Sequence, residues 1–313
     1  MKSSEINELT WRKAWSCLAM LFFAFIPLAG AEESKAYTAL VAAYQGELDN
    51  LFAMLEDETI ERVEQVNGVD FHIGEVNAYP IIVFQTGIGL TNAAMTTQIA
   101  LSHFNIERLL FSGVSGGVDP DLGKGDIVLA DRWMIYGFGA VFTEDADAER
   151  GAHIPDFLKG LITEKQYETY FPYPMAVIRN GMDKPERMPF YPVDPELETI
   201  FKEVAAESKL INAAGKPATI LTDAVCASGL AFMDDYRYTQ WLREHWDIAA
   251  VEMESGAIAK VCWVNEVPFM QIRSISDVIG NKNPNEFYEF KAVAEKNSAR
   301  LLNLVMQSGK LPR

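Results

Sequence analysis

Short apolar segments alternate with longer amphipathic ones along most of the chain, and this alternation limits the possible folds more than any other feature. The segment 37–44 is almost wholly apolar, which predicts a buried strand. Leu48, Leu51 and Leu55 recur at helical spacing within 46–57, which predicts an amphipathic helix. Because the alternation continues to a long helix over 286–307, the sequence predicts an α/β fold with a substantial parallel component.

The remaining predicted elements follow the same two patterns. Apolar runs bounded by turn-forming residues predict strands, and apolar stripes at helical spacing predict helices. The predicted strands lie at 69–76, 81–84, 108–112, within 126–136, and at 218–222, 248–251 and 267–272, and the predicted helices at 91–104, 195–208, 234–245 and 254–264. No break in composition and no internal repeat divides them. We therefore predict a single domain over 32–313.

One insert, at about 137–193, interrupts the alternation. It is rich in proline and aromatic residues, including Tyr167, Tyr170, Phe171 and Tyr191. Loops of this length within a compact domain are usually either functional or disordered. The aromatic content argues against disorder. We therefore expect an ordered insert that helps to shape a pocket.

The first 31 residues have the pattern of a secretory signal peptide. Arg12 and Lys13 precede an apolar run over 14–26, and Ala29-Gly30-Ala31 provides small residues at a cleavage site. The run is too short to cross a bilayer as a helix. An uncleaved N-terminal anchor is the alternative. We expect cleavage, a periplasmic or secreted protein, and no membrane contact afterwards.

Charge and cysteine content exclude several functions. The net charge is −17, so the chain lacks the basic face that nucleic acids or anionic membranes would require. After signal cleavage only Cys226 and Cys262 remain; they could pair, but two buried thiols are the favoured interpretation. The four histidines are scattered, so we predict no metal site and no cofactor.

Four short motifs carry the chemistry, and each follows or ends a predicted strand. Two are glycine-rich, at 86–89 and 112–117; either alone is typical of a turn. Val251-Glu252-Met253-Glu254 joins a strand to a helix, and Arg273-Ser274-Ile275-Ser276-Asp277 ends another strand. Ligands in α/β sheets bind at the carboxyl ends of the strands. Purely structural roles could account for two of these acidic residues: Glu254 could favour a helix N-terminus, and Asp277 could cap a helix or stabilise a turn. Neither role accounts for Glu252 at the end of an apolar strand.

In this order the motifs resemble the purine nucleoside phosphorylase/nucleosidase superfamily, and within it 5′-methylthioadenosine/S-adenosylhomocysteine nucleosidase. The resemblance covers about 37–302. It implies a three-layer α/β/α sandwich with a mixed central sheet, and hydrolysis of the N-glycosidic bond of an adenine nucleoside to adenine and the ribose moiety. It also implies a small-molecule nucleoside partner, no cofactor, and a homodimer or a larger homo-oligomer.

The resemblance also assigns roles to residues that match the family motifs. Asp277 corresponds to the general acid that protonates N7 of the purine, which makes the base a better leaving group. Glu47 corresponds to the glutamate that activates water near the anomeric carbon. Glu254 corresponds to the carboxylate that binds the ribose hydroxyls, and Met253 to the residue that packs on the sugar.

The purine contacts are assigned in the same way. Phe232 matches the aromatic residue that stacks on the base, backbone groups of Met233 would read the adenine edge, and Ser276 would hydrogen-bond the acid. The other residues expected at the substrate are Glu252, Ile88, Gly89 and Gly113.

Two alternatives remain open at this point. A phosphorylase would hold phosphate with arginines near the first strand and the glycine-rich segment, but Glu47 stands at the first position and Arg108 comes too early for the second. A carboxylate would repel phosphate, which favours water as the nucleophile. The second alternative is a non-catalytic nucleoside-binding or storage protein. The presence of both Asp277 and Glu47 favours the enzyme.

Two positions depart from the pattern of the nucleosidases. Val114 stands where serine is common, and Leu230 replaces an aspartate in the segment before Phe232. Together with the insert at 137–193, these differences indicate a 5′-substituent pocket that could differ from that of a methylthioadenosine enzyme.

Overall fold

The computed structural model describes residues 35–55 and 59–312. The segment expected to be a signal peptide lies outside the described residues. Within them, ten strands form one mixed sheet in the order β11-β6-β12-β13-β5-β1-β4-β3-β2, with β14 paired to both β5 and β6. No helix in this part of the chain is both long enough and apolar enough to cross a membrane.

The elements follow one another along the chain in the predicted alternation. The strands are β1 (Tyr37–Ala42), β2 (Ile60–Val66), β3 (Val69–Val76), β4 (Tyr79–Gln85), β5 (Ile106–Gly117), β6 (Ile127–Ile135), β7 (Gly139–Val141), β8 (Tyr170–Pro172), β9 (Met175–Val177), β10 (Glu186–Met188), β11 (Phe190–Pro192), β12 (Ile220–Ser228), β13 (Ile248–Glu252) and β14 (Phe269–Val278). The helices are α1 (Gln45–Met54), α2 (Leu90–His103), α3 (Pro195–Glu207), α4 (Tyr236–Trp246), α5 (Ser255–Asn265) and α6 (Glu286–Gln307).

The sheet is mixed, and part of it closes on itself. β1 lies between β4 and β5 and is parallel to both. β14 is parallel to β5 and antiparallel to β6, while β13 joins β5 to β12 and β12 joins β6. These pairings make a closed ring of β5, β13, β12, β6 and β14. The ring brings the ends of β13 and β14 close to the glycine-rich half of β5.

Helices pack in two groups around the sheet. α6 lies on β14 and β5 and contacts α1 and α3, whereas α2 packs against α5, which lies on β6, β11 and β12. The central strands are apolar because they are covered; all six residues of β1 are buried. Asp194 caps α3 by accepting hydrogen bonds from two backbone N–H groups, followed by a proline at the first helical position. The predicted α/β class with a mixed central sheet is confirmed.

Several strands are longer than predicted, and in β5 and β14 the difference concerns the site motifs. β5 continues through Gly117, so the second glycine-rich motif lies inside a strand and is not a turn. A Cβ at Gly113 would lie 1.6 Å from Nη1 of Arg273, so glycine is needed there for close packing. β14 continues to Val278, so Asp277 is a strand residue, and the interpretation as a turn or helix cap is wrong. β2 was not predicted at all.

The segment 137–193 contains five short strands. β7 pairs with β8, β9 pairs with β10, and β11 joins the edge of the main sheet beside β6. Tyr167 and Tyr170 pack against Trp241 of α4, with ring centroids 5.5 and 6.1 Å apart. Cys226 and Cys262 are free, buried thiols, as the favoured interpretation predicted.

Candidate active site

A cavity of about 270 Å³ lies where β5, β13 and β14 meet the first turns of α1 and α5. Most of the residues expected at the substrate line it, although they come from five separate parts of the chain. They are Glu47, Ile88, Phe232, Met233, Glu252, Met253, Glu254, Ser276 and Asp277. The two predicted glycines lie behind the lining: the amide of Gly89 donates to Glu254, and Gly113 packs against the guanidinium of Arg273.

Glu47 stands in the first turn of α1 and is only 3% exposed. Its Oε2 accepts a hydrogen bond from the amide of Ala43 at 2.7 Å, and its Oε1 accepts one from the amide of Val114 at 2.9 Å. Burial raises the pKa of Glu47 to about 7, and Arg273 together with the two amides limits that rise. A carboxyl group with such a pKa exchanges protons readily near neutral pH.

Arg273 is fully buried beneath the cavity and lies between three glutamates. Its Nη2 is 2.5 Å from Oε2 of Glu252 and 3.7 Å from Oε2 of Glu254, and its Nη1 is 3.9 Å from Oε1 of Glu47. The guanidinium also lies over the ring of Phe111, 4.0 Å from its centroid. No role was predicted for Arg273, although a charged residue at the end of an apolar strand was a signal that could have found it.

Glu252 lines the cavity and is held in place by four groups of the protein. Its carboxylate accepts hydrogen bonds from the amides of Glu254 and Ser255 at 2.9 Å, from the hydroxyl of Ser228, and from Arg273. A buried carboxylate with this many donors is rigid in position. Glu252 therefore fixes Arg273 and the start of α5, which in turn place Glu47 and Glu254.

Glu254 directs its carboxylate into the same cavity from the N-terminus of α5. Its Oε1 accepts a hydrogen bond from the amide of Gly89 at 2.8 Å. Burial first, and then the charge of Glu252, raise the pKa of Glu254 to about 8, against the opposing charge of Arg273. Near neutral pH a protonated Glu254 can both donate and accept hydrogen bonds, which suits a pair of vicinal hydroxyls.

Asp277 and Ser276, near the end of β14, also line the cavity. The hydroxyl of Ser276 donates to Oδ1 of Asp277 at 2.6 Å. Burial raises the pKa of Asp277, the hydrogen bond from Ser276 opposes that rise, and the charges of Glu286 and Asp234 add to it. A buried carboxyl group that retains its proton can act as a general acid.

Aromatic and apolar side chains complete the lining. Phe232 is 62% exposed at the mouth and packs edge-on against Phe287, with centroids 5.8 Å apart. Three further aromatic residues line the cavity, namely Tyr44, Tyr136 and Phe287. None of them was predicted from the sequence. No local pattern marks them, because they come from separate elements that only the fold brings together. Within the residues described, no cluster of histidine, cysteine or carboxylate side chains is arranged to hold a metal ion.

Comparison with known proteins identifies relatives of most of the chain. The family model of the phosphorylase superfamily matches residues 37–307. A 5′-methylthioadenosine/S-adenosylhomocysteine nucleosidase from Marinomonas sp. (strain MWYL1) is 30% identical over 271 residues, covering 86% of this chain and 97% of the relative.

Two solved structures from Helicobacter pylori have a similar fold. One is a 5′-methylthioadenosine/S-adenosylhomocysteine nucleosidase with a bound small molecule; its TM-score is 0.66 at 22% identity, and the match covers 88% of this chain and all of the other. The second is a futalosine hydrolase, with a TM-score of 0.65 at 22% identity and coverage of 88% and 98%. At this level of identity the likeness shows the fold, and the predicted nucleoside phosphorylase-like architecture is confirmed.

Proposed function

The chain belongs to the phosphorylase superfamily, and on that premise we propose that it is a nucleosidase that hydrolyses the N-glycosidic bond of an adenine nucleoside. The substrate is of the methylthioadenosine/S-adenosylhomocysteine type, and the products are adenine and the ribose moiety. One observation carries the proposal. Two buried carboxyl groups with raised pKa values, Asp277 on β14 and Glu47 on α1, line the same cavity.

Asp277 acts on the leaving group. As the bond between the anomeric carbon and N9 breaks, its electron pair moves into the purine, and Asp277 donates a proton to N7. Burial raises the pKa of Asp277, which favours the protonated carboxyl group that a general acid requires. Proton transfer of this kind contributes about 10²- to 10⁴-fold to a rate.

Glu47 acts on the nucleophile. Its ionised form takes a proton from a water molecule while the water oxygen bonds to the anomeric carbon, which balances the proton that Asp277 gives up. The same negative charge stabilises the oxocarbenium-like sugar in the transition state. Glu254 holds the ribose hydroxyls, and Arg273 keeps Glu47 and Glu254 in place through its contacts with both.

The charges around the sugar favour water over phosphate. The guanidinium of Arg273 is already bound to Glu252 and lies near two further carboxyl groups. Among the described residues that line the cavity, none is lysine, arginine or histidine. An incoming phosphate dianion would therefore find no cation in this lining to pair with, which argues against a phosphorylase.

The test is release of base from a panel of methylthioadenosine, S-adenosylhomocysteine, adenosine and inosine, each with and without phosphate. We expect adenine from the first two, independent of phosphate. No base release from any compound would refute the nucleosidase and favour the binding or storage protein. Release that requires phosphate would make the chain a phosphorylase.

A second copy of the chain is the proposed partner. An apolar groove of about 950 Å³ adjoins the cavity and shares Tyr136, Ala231 and Met233 with it. Met95, in this groove, is 54% exposed. We expect a homodimer or larger oligomer in sedimentation velocity, and Met95→Glu should weaken it, whereas Val63→Glu, an equally exposed apolar site outside the groove, should not. A monomeric wild-type protein at every concentration would contradict the proposal.

Export is proposed from the N-terminal sequence alone. A positively charged start, an apolar run over 14–26 and the small residues at 29–31 support cleavage after Ala31 and a periplasmic or secreted protein. The mass of the protein recovered from cells tests this. A mature form that begins at Glu32 is expected, and an intact N-terminus in the exported fraction would contradict cleavage.

A further inference from the structure

Tyr136 directly follows β6 and lines the cavity, yet it belongs to none of the motifs that the function explains. The residue is 6% exposed, and its hydroxyl is buried with no hydrogen-bond partner among the residues described. Buried hydroxyl groups normally have a partner, because an unpaired one loses its hydrogen bonds to water without replacement. A bound ligand could supply the missing partner.

The backbone and a glycine hold this hydroxyl in one place. The amide of Tyr136 donates to the carbonyl of Ser228 at 2.9 Å. The end of the ring covers Gly229 so closely that a Cβ there would lie 2.1 Å from Cζ of Tyr136 and 2.5 Å from its hydroxyl oxygen. Tyr238 packs on the ring, with centroids 5.9 Å apart. The hydroxyl is therefore positioned before any ligand binds.

Tyr136 lies beside the residues that are expected to contact the purine. Gly229, beneath the ring, begins the segment that leads to Phe232 and Met233, the residues expected at the base. Tyr136 and Met233 also line the cavity together and share the groove beside it. Glu254, expected at the ribose, is instead held by the amide of Gly89 in a different loop.

We propose that the hydroxyl of Tyr136 donates a hydrogen bond to a ring nitrogen of the bound purine and so contributes to recognition of the base. The inference rests on the proposed function, since it requires a purine in this cavity. Burial and the charge of Glu252 raise the pKa of Tyr136, so the hydroxyl keeps its proton throughout the physiological range. Both N1 and N3 of adenine are acceptors that such a donor could reach.

The direct test is calorimetric binding of adenine to the wild-type protein and to Tyr136→Phe. The substitution removes only the hydroxyl, so the ring still covers Gly229. We expect the Kd for adenine to rise about 3- to 10-fold, the effect of one neutral hydrogen bond. We also expect an unchanged or higher Tm, because the hydroxyl has no partner to lose in the free protein.

Tyr191→Phe is the matched control. The hydroxyl of Tyr191 is also buried without a partner, but Tyr191 belongs to β11 and does not line this cavity. We expect the Tm of Tyr191→Phe to be unchanged or higher, as for Tyr136→Phe. The Kd of Tyr191→Phe for adenine should stay at the wild-type value. An equal loss of adenine affinity in both variants would show a general effect of the substitution and would overturn the proposal.

Purine analogues then identify the accepting atom. Either 1-deazaadenine or 3-deazaadenine, which lack one ring nitrogen each, should bind the wild-type protein less well than adenine and lose nothing further in Tyr136→Phe. Unchanged adenine binding in Tyr136→Phe overturns the proposal. The proposal is also overturned if Tyr136→Phe binds both analogues more weakly than the wild-type protein does. A protein that cleaves substrate but fails these tests loses only this inference, whereas one that neither cleaves nucleosides nor binds adenine refutes the proposed function as well.

Discussion

Two regions of the active-site cavity differ in almost every physical respect. The floor, formed by Glu252, Ser255 and Arg273, is buried and tied together by charge-assisted hydrogen bonds. The rim, formed by Ile88 and Phe232, is apolar and 55% and 62% exposed. The floor fixes the positions of Glu47 and Glu254, and the rim decides which substrates reach them. Chemistry and substrate range are therefore separable in this fold.

The largest expected effect is the loss of kcat when the general acid, Asp277, is replaced. Asp277→Asn should lower kcat by about 10²- to 10⁴-fold, because asparagine cannot give a proton to the purine. Tm should change little, because the amide preserves the shape of the side chain. Asp234→Asn is the matched control: its charge acts on Asp277, but it does not line the cavity, so kcat should stay within about 3-fold of wild type. Near-full activity of Asp277→Asn would remove this residue from the acid role.

The next largest effect is expected when the buried cation of the floor, Arg273, is removed. Arg273→Met removes the cation that offsets three carboxyl groups, and breaking such a buried pair costs about 3–5 kcal/mol. Chemical unfolding measures this loss, and activity should fall with it because Glu47 and Glu254 lose their common contact.

Arg108→Met is the comparison for Arg273→Met. Arg108 is also buried and bonded, to Thr38 and to the carbonyl of Pro312, but it is remote from the cavity. It should lose stability and retain kcat. If both variants lose activity in proportion to stability, the floor has no special role in catalysis.

A smaller effect concerns how stability depends on pH. The pKa values of Glu47 and Glu254 are raised to about 7 and about 8 from an ordinary value of 4.5. Between pH 4.5 and pH 8 the folded protein binds more protons than the unfolded chain. The stability that these two protonated groups contribute is therefore complete below about pH 4.5 and is lost as the pH rises through 7 to 8. Urea unfolding should show Glu47→Gln losing less stability than wild type between pH 5 and pH 8. A steeper decline in the variant would contradict the burial argument.

The smallest effect is expected at the rim. Ile88→Ser should change Tm by less than the error of most assays, since exposed substitutions stay within about 0.5 kcal/mol. It should change KM by a few-fold, and differently for methylthioadenosine and S-adenosylhomocysteine, with kcat nearly unchanged. A large fall in kcat would show that the rim takes part in the chemistry and that the two regions are not separable.

The sequence predicted the elements well where a local pattern was enough. The apolar run of β1 and the long stripe of α6 were both visible as periodicity, and the structure confirms them. The antiparallel pairing of β14 with β6 was not visible, because it joins segments that are far apart in the chain. That pairing closes the ring around the site.

The site was predictable only in part, for a related reason. Glu47, Glu254 and Asp277 stand in motifs, and the structure brings all three to one cavity. Arg273 was quoted within a motif without a role, because its function follows from three partners on other elements. Tyr136 carried no sequence signal at all, since its importance lies in an unpaired hydroxyl that only the packing reveals.

The central claim is that water, not phosphate, attacks the sugar. The most direct test is the mass of the sugar product when methylthioadenosine is cleaved in a phosphate-containing buffer. We expect free methylthioribose as the sole sugar product, formed at the same rate when phosphate is omitted. A sugar 1-phosphate, or adenine release that stops without phosphate, would contradict it.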